Sequence, residues 1–284
     1  MKAPPFAYAR ARNLSEVIDL LERHGDAAKI LAGGQSLMPA LNMRLSSPEL
    51  LIDISRMHEH AGIQVKDSHV HIGALTTHAQ IGESAEIRKQ LPLLAAAVEH
   101  IAHPAIRNSG TFGGSLALAD PAAEWPACCV TLDAQIVLTS KNGTRRVAAR
   151  EFFQGLYATA MKPNEVLTEV VIPIPGTGYR HVFLELARRR GDYAMVGVAA
   201  LAKVTSSTLS DVRLTYLGVG DKPVLTIKTS QVFVSKGFSE TSIAEAQQIL
   251  ADELDPIADL YSSAATKLYL AQVLTTRAMK QLVA

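Results

Sequence analysis

The sequence predicts an α+β fold in two parts, and three observations lead there. Paired strand signals around short turns mark antiparallel hairpins. No Gly-x-Gly-x-x-Gly follows a strand and no P-loop Gly-Lys-Ser/Thr occurs, so the chain lacks the marks of a dinucleotide-binding or ATPase unit. The stretch Pro173-Ile-Pro-Gly-Thr-Gly178 combines stiff and permissive residues where the pattern changes, as a linker does. The expected parts are about 1–175, in subdomains of about 1–56 and 57–175, and 178–284, a smaller antiparallel sheet with helices.

In order along the chain, Asn13-Leu-Ser-Glu16 reads as a capping box. Leu14, Val17, Ile18 and Leu21 recur at helical spacing, and Gly25 is a fitting stop. Lys29–Ala32 is a short strand running into Gly33-Gly34. Leu50–Ile54 is a second buried strand. Gly62–Val65 and His69–Ala74 form a hairpin, with Val70 and Ile72 on one face and His69 and His71 on the other. Without a third ligand nearby, His69 and His71 read as solvent-facing rather than as a metal pair. Thr76 or Thr77 caps a short helix, Leu91–His100 is another, and Pro104 ends it.

Next comes Asn108-Ser-Gly-Thr-Phe-Gly-Gly-Ser115, a glycine-rich turn, with Arg107 placing a cation just before it. That cation is either a phosphate or partner contact or a solvated loop charge. Ala122–Leu132 is helical, and Gln135–Ser140 and Arg145–Ala148 pair around Lys141-Asn-Gly143. Asn164–Pro173 is an alternating strand. Beyond the linker, His181–Leu186, Val196–Val204 and Val212–Val219 form an antiparallel sheet. Thr241–Ala251 and Asp259–Val283 are helices, the last with Leu260, Ala264, Leu268 and Ala271 on a core-facing stripe.

Composition narrows the function classes. The 284 residues are 48% hydrophobic and 19% charged, enough for a sizeable core. Lys and Arg number 28 against 27 Asp and Glu, so no nucleic-acid footprint is expected. No apolar run approaches the roughly 18 residues of a membrane span, and the N-terminus lacks a secretory h-region; a cytoplasmic protein is expected. The two cysteines, Cys128 and Cys129, are adjacent on a predicted helix and point apart, which suits buried small hydrophobes better than a disulfide or a metal site. Iron–sulfur clusters take four thiolates, so this chain is not expected to hold one. No resident metal and no catalytic acid, base or nucleophile is expected.

The chemistry concentrates in two loops. Ala32-Gly-Gly-Gln-Ser36 and Ser109-Gly-Thr-Phe-Gly-Gly-Ser115 both set Gly-Gly beside a hydroxyl. Glycine allows close backbone approach and positive φ, and successive N–H groups attract anions. Two such loops, converging, would hold a diphosphate without clustered Lys or Arg, each charge-assisted hydrogen bond contributing about 1.5–3 kcal/mol.

The runs AGGQSLMPALNMRL at 32–45 and GTFGGSLALADPAAEWPA at 110–127 resemble the FAD-binding subunit of molybdenum hydroxylases, which includes the medium chain of carbon monoxide dehydrogenase and the flavin domain of xanthine dehydrogenase. The resemblance runs through the whole chain. It implies a vanillyl-alcohol-oxidase/PCMH-like FAD-binding region of two subdomains, with FAD bound non-covalently. Ile30, Leu31, Ala32, Gly33, Gly34, Gln35, Ser36 and Leu37 match the family's first FAD loop. Thr111, Phe112, Gly113, Gly114 and Ser115 match the second, with Ser115 where members mostly have Asn, and Ser109 just ahead of it is a further candidate for cofactor binding. Asp120 matches the aspartate of an Ala-Asp-Pro motif, and Glu124 stands where many members carry an aspartate near the ribityl–ribose portion. Leu167 matches an adenine- or ring-side contact, and Ile101 a residue lining the flavin. Arg188 and Tyr193 belong to a basic–Gly-Asp-aromatic turn near the isoalloxazine.

The resemblance further implies an electron-transfer role. Electrons would come from [2Fe-2S] clusters in a small subunit, fed by a molybdenum cofactor in a large subunit, and leave for an external acceptor, in a dimer of heterotrimers. A self-contained FAD-dependent oxidase or dehydrogenase of the same fold is the alternative. The stretch after the linker is short for a substrate-covering domain.

Overall fold

A computed structural model describes residues 2–205 and 208–284. The chain opens with β1 (Ala7–Arg10), α1 (Leu14–His24), β2 (Ala28–Leu31), α2 (Leu37–Asn42) and β3 (Leu50–Asp53). β3 lies between β1 and β2, parallel to both. Helix α1 starts where Asn13 accepts a hydrogen bond from the Glu16 N–H at 3.0 Å. The capping box is only half made, because the Glu16 carboxylate turns to the N–H and guanidinium of Arg12. Gly25, at φ +51°, ends the helix by donating to the Leu21 carbonyl. Val17, Ile18 and Leu21 face the small sheet as the spacing predicts.

A five-stranded antiparallel sheet follows, built from β4 (Ile63–Lys66) and β5 (His69–Gly73), and later from β6 (Gln135–Ser140), β7 (Gly143–Ala148) and β10 (Val166–Pro173). Val70 and Ile72 are fully buried, while His69 and His71 are half-buried on the other face. Between the hairpins run α3 (His78–Glu83), α4 (Ala85–Gln90), α5 (Pro92–Ala97), α6 (Pro104–Arg107), α7 (Phe112–Leu118) and α8 (Glu124–Thr131). Thr77 caps α3 in a full capping box with Gln80. Pro104 opens α6 rather than ending a helix, since a proline at the first turn has no N–H to leave unpaired. The second half of the glycine-rich turn is likewise helical, as α7, capped by Thr111. Cys128 and Cys129 lie fully buried in α8.

A small hairpin of β8 (Phe153–Gly155) and β9 (Ala158–Thr159), entered through α9 (Ala149–Phe152), has no clear pattern in the sequence. After Gly178 an antiparallel sheet of β11 (Tyr179–Leu186), β12 (Val196–Thr205), β13 (Thr208–Leu217) and β14 (Val224–Leu225) is covered on one face by α10 (Ile227–Lys236), α11 (Glu240–Glu253) and α12 (Ala264–Val283). Helix α12 starts at the Ser263 cap, five residues into the stretch expected to be helical. Leu260 precedes it and is 93% exposed, so the stripe toward the core begins later, with Leu268 packed against it and Ala271, Leu274, Ala278 and Leu282 buried.

The alternation of β11 and β12 divides their side chains between two cores. Val182, Val198 and Ala200 pack with α10–α12. Phe183, Ala199 and Leu201 join a core that also holds Leu94, Phe112, Trp125 and Ile136. The C-terminal sheet is thus packed against α5 and α8 through continuous apolar contact. Among the described residues, no helix is long and apolar enough to cross a membrane.

Candidate functional site

The first glycine loop leaves the end of β2 and turns into α2. Gly34 makes the turn at φ +70°, a conformation side-chain-bearing residues rarely adopt, and its carbonyl accepts from the Met38 N–H. Gly33 answers a different demand. A Cβ there would overlap the Ser109 carbonyl oxygen and stand 2.9 Å from the Gly110 Cα. The two loops therefore touch through their backbones, as the paired motifs predicted.

They contribute unequally. Among the described residues, no N–H from Gly33 to Ser36 donates to a protein acceptor, so the first loop presents a run of available amides. In the second loop the N–H groups are mostly spent inside the protein. Gly110 donates to Ile106, Phe112 to Thr76, Gly113 to Ala74 and Gly114 to the Thr111 hydroxyl. The expectation that both Gly-Gly pairs donate to a diphosphate is corrected accordingly: the second loop chiefly supplies shape.

That shape has identifiable supports. A bulge in β10 between Leu167 and Glu169 lets the Thr168 carbonyl take the Ala74 N–H, and the Ala74 carbonyl takes that of Gly113. Gly113 has no room for a side chain, since a Cβ would stand 2.6 Å from that of Ala74. Beneath Gly110 sits the ring of His78, 2.8 Å from where a Cβ would be. The His78 Nδ1 accepts a buried hydrogen bond of 2.9 Å from the Trp125 indole, leaving the ring proton on Nε2. Burial holds the His78 pKa down to about 4, so the ring is neutral. Nothing in the sequence singled out His78 from the other histidines.

The remaining predicted residues fall into two groups. Gln35, Ser36, Ser109 and Gly114 are exposed, while Ala32, Leu37 and Ser115 are half-exposed. Ile30 and Leu31 end β2 partly buried. Thr111 is buried and spends its hydroxyl capping α7. Phe112 is fully buried, packed edge-on against Trp125, so its side chain belongs to the core. Ile101 and Leu167 are buried among apolar neighbours.

Beyond α7, Ala119 turns the chain in a left-handed conformation and brings in Asp120 and Glu124. Asp120 accepts from the Ala122 N–H, yet burial raises its pKa. Burial and the nearby Asp120 push the Glu124 carboxyl up to about 7. Tyr193 and Tyr157 lie within reach of the Asp120 charge, and Tyr193 is 74% exposed.

The turn bearing Arg188 and Tyr193 is clamped from below. Gly191, at φ +85°, rests on the Ala102 carbonyl, and a Cβ would stand 2.7 Å from that oxygen. The Arg107 guanidinium donates to the carbonyls of Ile101 and Ala102 at 2.8 and 3.1 Å. Arg107 thus braces the Ile101–Ala102 turn through one guanidinium nitrogen. Arg188 lies over the Tyr261 ring at 4.3 Å, and Arg190 pairs with Glu99. A separate cavity of about 390 Å³ along β4, β5, β6 and β10, lined by His60, His71 and Glu169 among others, includes neither glycine loop and meets the site's supports only at the β10 bulge.

Available amides, a backbone-tight cradle, carboxyls able to accept from hydroxyls and an exposed aromatic suit a ligand with an anionic middle, a polyol and a flat ring. FAD has those parts, and the cradle fits it.

The comparisons with known proteins agree. Residues 4–175 match the family described as the FAD binding domain in molybdopterin dehydrogenase, and residues 181–282 match the CO dehydrogenase flavoprotein C-terminal domain. The chain is 39% identical to 6-hydroxypseudooxynicotine dehydrogenase complex subunit alpha of Paenarthrobacter nicotinovorans, over 97% of this chain and 93% of that one. It is 34% identical to the glyceraldehyde dehydrogenase medium chain of Sulfolobus acidocaldarius, over 99% of each. Its fold superposes with a TM-score of 0.96 on a chain of carbon monoxide dehydrogenase from Hydrogenophaga pseudoflava in a form lacking the Mo-pyranopterin moiety. That pair shares 34% identity over 99% of this chain and 98% of that one.

Proposed function

The chain belongs to the FAD-binding medium subunits of molybdenum hydroxylases, a family of oxidoreductases, and from that membership we propose that it is an electron relay with no substrate chemistry of its own. Electrons would enter from [2Fe-2S] clusters of a small subunit, supplied by the molybdenum cofactor of a large subunit, and leave to an external acceptor. The assembly we propose is a dimer of heterotrimers in the cytoplasm. Bound FAD supplies the redox chemistry, taking up electrons singly or in pairs.

The protein's own residues position and shield. The amides of Gly33–Ser36 hold the diphosphate against the wall formed by Ser109–Ser115. Asp120 and Glu124 accept hydroxyl hydrogen bonds from the sugar and ribityl chain. Ile101 and Leu167 give the ring an apolar floor, and Tyr193, on the turn with Arg188, covers its open side. We also read the chain as two parts, 1–175 and 178–284, joined at Pro173–Gly178; the family matches on either side of that stretch support the division.

The observation carrying this reading is the contact between the Gly33 and Ser109 backbones beside unspent amides. Purified protein should bind one FAD per chain, and acid precipitation should release all of it. Protein that stays colourless in excess FAD would overturn the reading. Flavin retained in the precipitate would overturn its non-covalent attachment.

A further inference from the structure

Glu185 is a buried carboxyl whose Oε2 has no hydrogen-bond partner among the described residues. It lies on β11, opposite Gly197 of β12, with its side chain only 2% exposed. It points to the same face as Phe183, toward α5 and α8. Its Oε2 makes no hydrogen bond, which is costly for a buried polar atom and calls for an explanation.

The groups facing Glu185 are few. From the end of the α5 segment, His100 brings its Nδ1 to 4.0 Å and keeps its own side chain 36% exposed. From α8, Glu124 acts on it by like charge. From β12 the facing residue is a glycine. Helix α12 covers the opposite face of the sheet and contributes no charge that shifts Glu185. Burial and Arg190 lower the His100 pKa, against the weaker pull of Glu99. Among the described residues, no cation offsets Glu185, and burial with Glu124 pushes its pKa up to about 8.

We propose that Glu185 is a redox-linked proton site: it binds its proton more tightly when negative charge is added to the adjoining cofactor site. Resting on the FAD-relay reading above, this gives the wall of the site a way to offset incoming charge. The balance is simple. A reductant supplies an electron to the site, solvent supplies a proton past His100, and the Glu185 carboxylate becomes a carboxylic acid. By linkage, proton binding at Glu185 favours reduction to the same extent that reduction favours proton binding.

The test compares the FAD-loaded chain with Glu185→Gln, which keeps the shape and removes the titration. Each protein is reduced anaerobically with dithionite in weak buffer, and proton uptake per FAD is read with a pH indicator between about pH 6 and pH 10. Wild type should take up more protons than the variant, by up to one per FAD, in a window at and above about pH 8. The two should coincide near pH 6, where Glu185 already holds its proton. The cofactor's midpoint potential should fall more steeply with pH in wild type through the same window. Equal uptake and equal slopes, with flavin bound and reducible in both, would overturn the inference and leave the relay standing. A chain that takes up no FAD would overturn both.

Discussion

Gly33 and Ser109 meet backbone to backbone: the space a Gly33 side chain would need is filled by the Ser109 carbonyl oxygen. One contact joins the parallel sheet, which carries the first loop, to the helical layer that carries the second. Gly33→Ala must push these loops apart. We expect its FAD affinity to fall at least tenfold by flavin titration, while Gly176→Ala, which meets nothing within 4 Å, binds as wild type. Wild-type affinity in Gly33→Ala would mean the loop contact does not shape the site.

Gly114→Val tests the second loop for a different reason than the sequence suggests. Gly114 sits in the first turn of α7 and is not among the glycines with positive φ. The obstacle is the capping hydroxyl of Thr111, 2.6 Å from where a Cβ would stand. Displacing that cap should cost about 0.5–2 kcal/mol, read as a lower urea midpoint, and FAD should be lost. Wild-type flavin content at saturation would show that this turn does not line the site.

How much was legible follows from what each residue answers to. Apolar runs and turn signals located most strands; β5 alternates because one face is buried, whereas β3, β10 and β12 are buried along most of their length and read as runs. The glycine motifs located both loops, because close backbone approach leaves only glycine. The division of labour between the loops was hidden, since hydrogen-bond donors look alike until their acceptors are known. His78 and Glu185 act through contacts with distant segments, and no local spacing encodes that. The stretch at 259–263 was read as helix from its apolar residues, yet Leu260 and Tyr261 are exposed there. The Ser263 cap decided the boundary instead.

His78 gives a pH signature. Its pKa is lowered by burial to about 4, below the ordinary 6.5. The unfolded chain therefore binds a proton that the folded chain refuses, so stability is full above about pH 6.5 and falls as the pH drops toward 4. His78→Gln, which can still accept from Trp125, should flatten that part of the acid limb in urea titrations. An acid limb unchanged by the substitution would place the loss elsewhere.

Glu185 works in the opposite sense. Its proton is held more tightly in the folded state, so its cost to stability grows as pH rises from about 4.5 and levels off above about 8. Glu185→Gln should be more stable than wild type near pH 9, and the advantage should shrink near pH 5. A difference that does not vary with pH would contradict a raised pKa.

Tyr193 separates covering from folding. At 74% exposure it supports little of the core, so Tyr193→Ala should change stability by less than about 0.5 kcal/mol. The absorption spectrum and midpoint potential of the bound flavin should nonetheless shift. A spectrum and potential identical to wild type would remove Tyr193 from the ring's surroundings.

The relay reading meets its most direct test in flavin bleaching. The FAD-loaded chain is mixed anaerobically with each candidate substrate (N-heterocycle, aldehyde, purine or carbon monoxide) and absorbance near 450 nm is followed. We predict no bleaching by any of them until the molybdenum and iron–sulfur subunits are added, after which the right substrate bleaches the flavin. Rapid, stoichiometric bleaching of the isolated chain by any one of them would contradict the relay and establish a self-contained dehydrogenase.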